Sequence, residues 1–442
     1  MTARLPLIVW GAMAALVLGL LARNLLAIPV FAPLDPNEGW NAAHALSLLA
    51  GQGLYPPPHS LMVNNYPPLS FYLVAALTKV MGDAVIAGRI LSTAAFLAAC
   101  GGLALILRSM SATVWAGFAA ILFFAATLLV ASDYVGMADP QLLGHAVQLA
   151  ALLLAFRRKT IPAGLVFAAS LLVKHNLLAL PLATFAWLYG RDRRAGLRFA
   201  AAGIAAVATA LAVFRLVYGT SLLTVLSSPR LIAWSNMELA VTPLWWAVLP
   251  LALPFSLRNP WRGFCTIYAG IALVLGLVFS AGDGVDTNAF FDLALACAIT
   301  VGLASDSVPL RAALCALVLP VFLVWNFHDN NFFFTGDFRS QSARDIAFLK
   351  SHPGPGLCEQ LSQCLWAGKK AEVDVFNIGE QIKTGARDPA PLARLIAARH
   401  FAVLQLEDLD ALGPVRVEIQ KNYRADHSDD NGIFFTPVTP AP

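Results

Sequence analysis

Charge is what this chain has least of: 13% of its 442 residues are Asp, Glu, Lys or Arg, while 58% are hydrophobic and the mean hydropathy is +0.68. Soluble globules carry about a quarter charged residues, so that class is excluded and a polytopic membrane protein is indicated. The net charge of +4 is small and is sorted by membrane side instead of gathered in a patch, which removes any reason to expect nucleic acid. Cysteine is scarce as well. Cys100, Cys265, Cys297 and Cys315 lie in apolar runs without metal-ligand spacing and read as small hydrophobes. Cys358 and Cys364 sit in a polar C-terminal region; in an oxidising compartment they would pair, and otherwise they stay thiols. The basic, then apolar, first 26 residues lack a small-x-small cleavage site and read as a retained span.

What is abundant is apolar sequence in runs of membrane-spanning length. These cover residues 6–28, 84–107, 112–131, 141–156, 161–173, 177–189, 199–214, 244–257, 264–280, 290–304 and 312–325. The expected fold is therefore an all-α polytopic membrane protein of about eleven transmembrane helices. Orientation follows from Lys and Arg, which short cytoplasmic loops retain. Placing the N-terminus inside puts Arg4, Arg108, Arg157, Arg158, Lys159, Arg191, Arg193, Arg194, Arg198, Arg258, Arg262 and Arg311 on the inner side, with the acids Asp192 and Asp306. The outer loops and their margins then hold Asp35, Glu38, Asp83, Asp133, Asp139, Glu238, Asp283, Asp286 and Asp292, with fewer bases. The sequence thus predicts a membrane domain over 1–326 with a first outer loop at 31–83, and an extracytoplasmic domain over 327–442.

Within the first outer loop, 40–51 reads as an interfacial helix and 69–81 as a second surface helix entered through Pro67-Pro68. In the C-terminal domain, short apolar runs at 373–376 and 401–406 suggest strands, and 340–350, 378–384 and 391–399 suggest helices, giving a small α/β domain. That domain contains no P-loop, GxGxxG after a strand, HExxH or GxSxG, so no chemistry is assigned to it.

Chemistry concentrates on the outer side. Asp35, Glu38 and Asp139 are carboxylates at a membrane surface, costly to desolvate unless paired or used. A carboxylate within reach of an acceptor hydroxyl would act as general base; the alternative is that Asp35 and Asp139 cap the helices that follow them. Arg89, Lys174, Arg215 and Arg230 are outward cations suited to a phosphate, or else snorkelling groups at helix ends. Tyr66, His175 and Asn288 are candidate substrate contacts. His145 and His175 show no ligand spacing and no metal ligand is assigned.

The order of features resembles the GT-C superfamily of polyprenyl-phosphate-dependent glycosyltransferases, in the bacterial branch with the aminoarabinose transferase of lipid A, the protein mannosyltransferases and the RgtA-type lipopolysaccharide enzymes. The matching residues are Glu38-Gly39-Trp40, Ala45 to Leu49 with Gly51, Gly53-Leu54-Tyr55, Tyr66-Pro67-Pro68-Leu69 to Gly82, Gly88-Arg89-Ile90 and Ala138-Asp139-Pro140. The likeness covers about the first 190 residues well and the remainder by topology.

The resemblance implies an inverting transferase in the bacterial inner membrane, moving a sugar from a polyprenyl-phosphate donor to a lipid or envelope glycan on the outer face. It implies a catalytic acid at Glu38 or Asp35, a positioning acid at Asp139, and a donor phosphate held by Arg89 and Lys174, with Arg215 also a candidate. No cofactor is required by the sequence, though a divalent cation is compatible with the family. Two departures stand out: Asn37-Glu38 replaces the family's Asp-Glu pair, and Asn65-Tyr66 replaces the acid-Lys pair of the aminoarabinose enzymes, so that donor is not expected. The rival classes are a transporter or lipid flippase, for which no internal repeat is found, and an assembly scaffold.

Overall fold

The computed structural model describes residues 4–131, 133–220, 222–325 and 336–438. Its helices are α1 (Arg4–Ala27), α2 (Pro36–Leu49), α3 (Leu69–Met81), α4 (Ala84–Ser109), α5 (Val114–Ala131), α6 (Gln141–Phe156), α7 (Thr160–Leu171) and α8 (Ala179–Arg191). They continue as α9 (Arg193–Tyr218), α10 (Leu222–Leu226), α11 (Trp234–Val241), α12 (Trp245–Ala252), α13 (Arg262–Ser280), α14 (Phe291–Ser307) and α15 (Pro309–Trp325). Every run expected to span is helical. Six helical segments among the described residues are long and apolar enough to cross a bilayer: Leu5–Ala27, Ala84–Ser109, Arg193–Tyr218, Trp234–Ser256, Arg262–Ser280 and Thr287–Ser307. The chain is therefore a multi-pass membrane protein. The other expected spans form helices of 12 to 18 residues, too short to settle as independent crossings by length.

Burial separates the spans into two kinds. α14 is buried along nearly its whole length, packed between α5, α13 and α15, with small residues such as Ala294, Ala298 and Gly302 allowing close approach. Gly302 lies so near α5 that a Cβ there would fall 2.8 Å from the Ala116 carbonyl oxygen. α9 instead exposes Leu197, Ile204, Val213, Leu216 and Val217, the pattern of a helix facing lipid.

The helix ends fall into two groups that match the charge sorting in the sequence. At one end, Thr113 donates to Asp306, Arg311 to Ser256, Trp261 to the Met110 carbonyl and Arg191 to the Pro260 carbonyl. At the other end, Arg23 lies 3.7 Å from Asp133 and the loops around residues 35, 66, 138, 174 and 285 converge. The second end carries the C-terminal domain.

That domain comprises α16 (Gly336–Ser351), α17 (Leu361–Trp366), α18 (Val375–Lys383), α19 (Ala390–Ala397) and α20 (Arg416–Asn422), around β1 (Gly356–Cys358), β2 (Val403–Leu406), β3 (Tyr423–Asp429) and β4 (Gly432–Pro437). The sheet order is β1-β2-β4-β3, with β1 and β2 parallel and the other pairs antiparallel. It is the small α/β domain expected; its junction with the membrane domain at 326/327 lies outside the described residues. Cys358 and Cys364 form a disulfide. The strand expected over 373–376 is absent. Asp374 caps α18, its carboxylate accepting from the Asn377 amide at 3.0 Å, and the buried Val373 and Val375 belong to a loop and a helix start.

Candidate active site

The residues that carry the resemblance meet in one knot beneath the end that carries the C-terminal domain. Pro36 opens α2 at the first-turn position where proline is tolerated, and Asp35 caps it by accepting from the Asn37 amide at 2.7 Å. One turn on, Glu38 points inward and is wholly buried. It meets the equally buried Arg89 of α4 in a bidentate pair, Nε to Oε1 at 2.8 Å and Nη2 to Oε2 at 2.6 Å. The Leu34 and Ala138 amides supply two further hydrogen bonds to Glu38, at 2.9 and 3.0 Å. Arg89 spends its remaining donors on the carbonyls of Ala27, Val30 and Ala32.

Glycines make the knot possible. A Cβ on Gly88 would come within 2.5 Å of the Ala138 Cβ, and one on Gly39 within 2.1 Å of the Ser362 amide of the C-terminal domain. Trp40 then reaches into that domain, its indole N–H donating to Asp374 at 2.8 Å and to the Val63 carbonyl at 3.0 Å. Burial pushes the Asp374 carboxyl up to about 6, against the pull of hydrogen bonds from Asn377 and Trp40.

Above the knot opens a cavity of about 460 Å³. Tyr66, Lys174, His175 and Asn288, all expected from the sequence, are on its wall. Lys174 is buried, with its ammonium 3.0 Å from Asp139 and 5.1 Å from the Tyr66 ring. Asp139 also accepts from the amide of Gln141, the first residue of α6, at 2.7 Å, so it holds the entry to α6 and anchors Lys174 together. Burial, with Lys174 and Arg230 nearby, pushes His175 down to about 4 and keeps it neutral at physiological pH. Its Nδ1 and the Asn176 side-chain oxygen are buried without a protein partner.

Three expected site residues lie elsewhere. Glu38 and Arg89 have every strong hydrogen-bonding position committed inside the protein, so neither a base nor a phosphate contact is available from them as placed. Arg215 is exposed at the end of α9, where it donates to the Gly219 carbonyl at 3.1 Å and caps its own helix. Asp35 is half-buried at the cap of α2, two residues before Asn37, which is on the cavity wall, and is not itself part of that wall. Burial, then the neighbouring carboxylates of Asp286, Glu38 and Asp139, push it up to about 7, despite the Asn37 amide hydrogen bond that pulls it down.

The wall also holds Arg230, expected from the sequence as an outward cation suited to a phosphate or as a snorkelling group, and two residues left without a role by the sequence. Arg230 faces the cavity, donates to the Asp283 carbonyl at 3.2 Å and stacks on Phe376 at 5.4 Å. Phe376 and Asn377 come from α18 of the C-terminal domain, and Asn65 donates to Asn377 at 3.0 Å. Arg230 was visible as an outward cation; nothing in the sequence tied residues 376 and 377 to the first loop. A second, more apolar cavity of about 330 Å³ adjoins the first through shared Gly282, Gly284 and Val285, and is lined by Leu239, Leu244, Trp246 and Phe291. A trio with metal-ligand reach among the described residues, Asp345, His427 and Asp429, is in the C-terminal domain and contributes nothing to either cavity wall.

No protein-family model and no curated protein sequence matches the chain. Among solved structures it is similar to ArnT from Cupriavidus metallidurans bound to undecaprenyl phosphate, at a TM-score of 0.58 and 14% identity over 97% of this chain and 98% of that one. The apo state of the same protein gives a TM-score of 0.53 at 13% identity, covering 99% of both chains. Sequence identity this low speaks to fold alone, and on that ground the chain has the fold of ArnT.

Proposed function

We propose that this protein is an inverting GT-C glycosyltransferase of the bacterial inner membrane, transferring a sugar from a polyprenyl-phosphate donor to a lipid or envelope-glycan acceptor on the outer face. The observation that carries the reading is the paired cavity: a polar chamber with Lys174 and Arg230 on its wall adjoins a more apolar one across shared Gly282, Gly284 and Val285. Such a pair suits a donor with a charged phosphate between a sugar and an isoprenoid. The structural neighbour with bound undecaprenyl phosphate supports the same carrier.

In this reaction the acceptor oxygen attacks the anomeric carbon from the face opposite the phosphate. The new C–O bond forms as the bond between the anomeric carbon and the phosphate oxygen breaks, and the acceptor proton passes to Asp35. Asp35 suits that role because its carboxyl is pushed up to about 7, near the pH at which it must collect a proton. The phosphate leaves with an added negative charge, which Lys174 and Arg230 stabilise. Glu38 and Arg89 hold the end of α1, the cap of α2 and the Ala138 loop in register, so they act on the site through position.

Purified protein in nanodiscs, supplied with radiolabelled polyprenyl-phosphate sugar and envelope lipid acceptors, should release polyprenyl phosphate and label the acceptor. Asp35→Asn should stop both. Movement of intact donor across the membrane without release of the carrier would replace the transferase reading with the flippase one.

A further inference from the structure

We propose that the C-terminal domain binds a divalent transition-metal ion of the zinc type, held by Asp345, His427 and Asp429. The site stands apart from both cavities and does not depend on the transferase reading.

The three ligands come from two elements. His427 and Asp429 are two apart on β3, the spacing that places side chains on one face of a strand. Asp345 comes from α16, whose Phe348 ring meets the His427 ring at 4.8 Å. The donor atoms of the trio all lie within 4.8 Å of one another, with His427 Nε2 3.9 Å from Asp345 Oδ1. Zinc takes imidazole nitrogen and carboxylate oxygen at about 2.0–2.2 Å, so two donors on one ion are at most about 4.4 Å apart. Closing the trio on an ion therefore takes a contraction of under about 1 Å.

Two further observations set this trio apart from a patch of surface acids. Asp345 is 2% exposed, and among the described residues no Lys or Arg forms an ion pair with it or with Asp429. A buried carboxylate beside a second one is paired or coordinates a metal, and the protein supplies only an imidazole there. The second observation is that the ligands are already oriented from behind. The Asp426 carboxylate lies 3.0 Å from His427 Nδ1 and accepts its N–H, which leaves the Nε2 lone pair turned to Asp345. Asp426 reaches that place at the bulge in β3 between Ala425 and His427, and the ring is stacked on Phe434 at 4.5 Å. Asn431 donates its side-chain amide to Asp345 Oδ2 at 2.6 Å and its backbone amide to Asp429 Oδ1 at 2.9 Å. An imidazole with two carboxylates suits a zinc-type ion, whereas Mg2+ and Ca2+ are served by oxygen alone. Bound there, the ion ties α16, the first described helix after the membrane domain, to the edge strand of the sheet.

Tag-free full-length protein in nanodiscs, stripped with EDTA, should take up one equivalent of Zn2+ in a calorimetric titration. Its unfolding midpoint should rise with Zn2+ concentration, as it does for any ligand of the native state alone. Asp426→Ala, which removes a positioning group that touches no ion, should weaken Zn2+ binding by about 10–100-fold. His427→Gln and Asp429→Asn, each removing a ligand, should weaken it further and abolish the rise in midpoint. Their midpoints without metal separate lost binding from lost folding. Mg2+ should bind at least about tenfold more weakly than Zn2+. No uptake by the wild-type chain, unchanged uptake by folded His427→Gln, or Mg2+ bound as tightly as Zn2+ would overturn the site.

Discussion

Replacing Glu38 by alanine tests whether the family-position acid is a base or a keystone. The substitution removes a carboxylate that is fully buried and accepts four hydrogen bonds, two from Arg89 and one each from the Leu34 and Ala138 amides. Breaking one side of a buried ion pair costs about 3–5 kcal/mol, because the charge left behind has no counterion. Arg89 would keep the carbonyls of Ala27, Val30 and Ala32, which solvate the guanidinium without neutralising it. The two orphaned amides add on the order of 1–3 kcal/mol each before relaxation recovers a part. Folded proteins are stable by on the order of 5–15 kcal/mol, so the loss is a large fraction of the whole. Thermal unfolding followed by tryptophan fluorescence in detergent should show a sharply lowered midpoint and a poor yield of monodisperse protein. Removing both charges with Glu38→Met and Arg89→Met should be less damaging than the sum of the single changes, with a coupling of at least about 1 kcal/mol. If Glu38→Ala instead folds with unchanged stability and loses turnover alone, the buried-pair reasoning is wrong and Glu38 is the base.

Asparagine caps a helix as well as aspartate, so Asp35→Asn should leave stability within about 0.5 kcal/mol while lowering kcat by about 10²–10⁴, measured as carrier released from labelled donor. Since the Asp35 carboxyl is raised to about 7, its active carboxylate form is lost as pH falls through that value. The wild-type kcat/KM should therefore climb to a plateau above neutral pH, and an inflexion near the ordinary carboxyl value of 3.8 would contradict the assignment. Gly284→Ala should weaken donor binding in a titration, because Gly284 sits at φ +66° and a Cβ there would lie 2.2 Å from the Phe376 ring; an unchanged Kd would show that this wall yields freely. Reducing the disulfide between Cys358 and Cys364, six residues apart, should cost the C-terminal domain about 2 kcal/mol, read as an earlier unfolding transition in dithiothreitol.

The apolar runs and the two surface helices of the first loop were legible because each is a local property: a span needs only hydropathy, and 69–81 needs only helical spacing behind a proline pair. The family pattern was legible too, yet the sequence could not say which of its residues touch substrate. Asp35 is the N-cap of α2 and Glu38 lies three positions on, a spacing that places both near one face, so the sequence alone does not separate them; in the structure Glu38 is wholly buried and Asp35 only half-buried. The same holds for the cations. Arg89, Arg215 and Arg230 are equivalent as outward basic residues, but one closes a knot, one caps its own helix and one faces the chamber. Asn377 and Phe376 were illegible for a further reason: they reach the site through the docking of a separate domain, held by Asp374 on Trp40 and by Asn377 on Asn65 across more than 300 residues of sequence. Gly39 is where the two levels join. Its missing side chain, part of the recognisable first-loop pattern, is the space that α17 needs in order to sit against α2. The pattern therefore encodes more than the membrane-facing site: it also encodes the seat of the domain that completes the chamber wall.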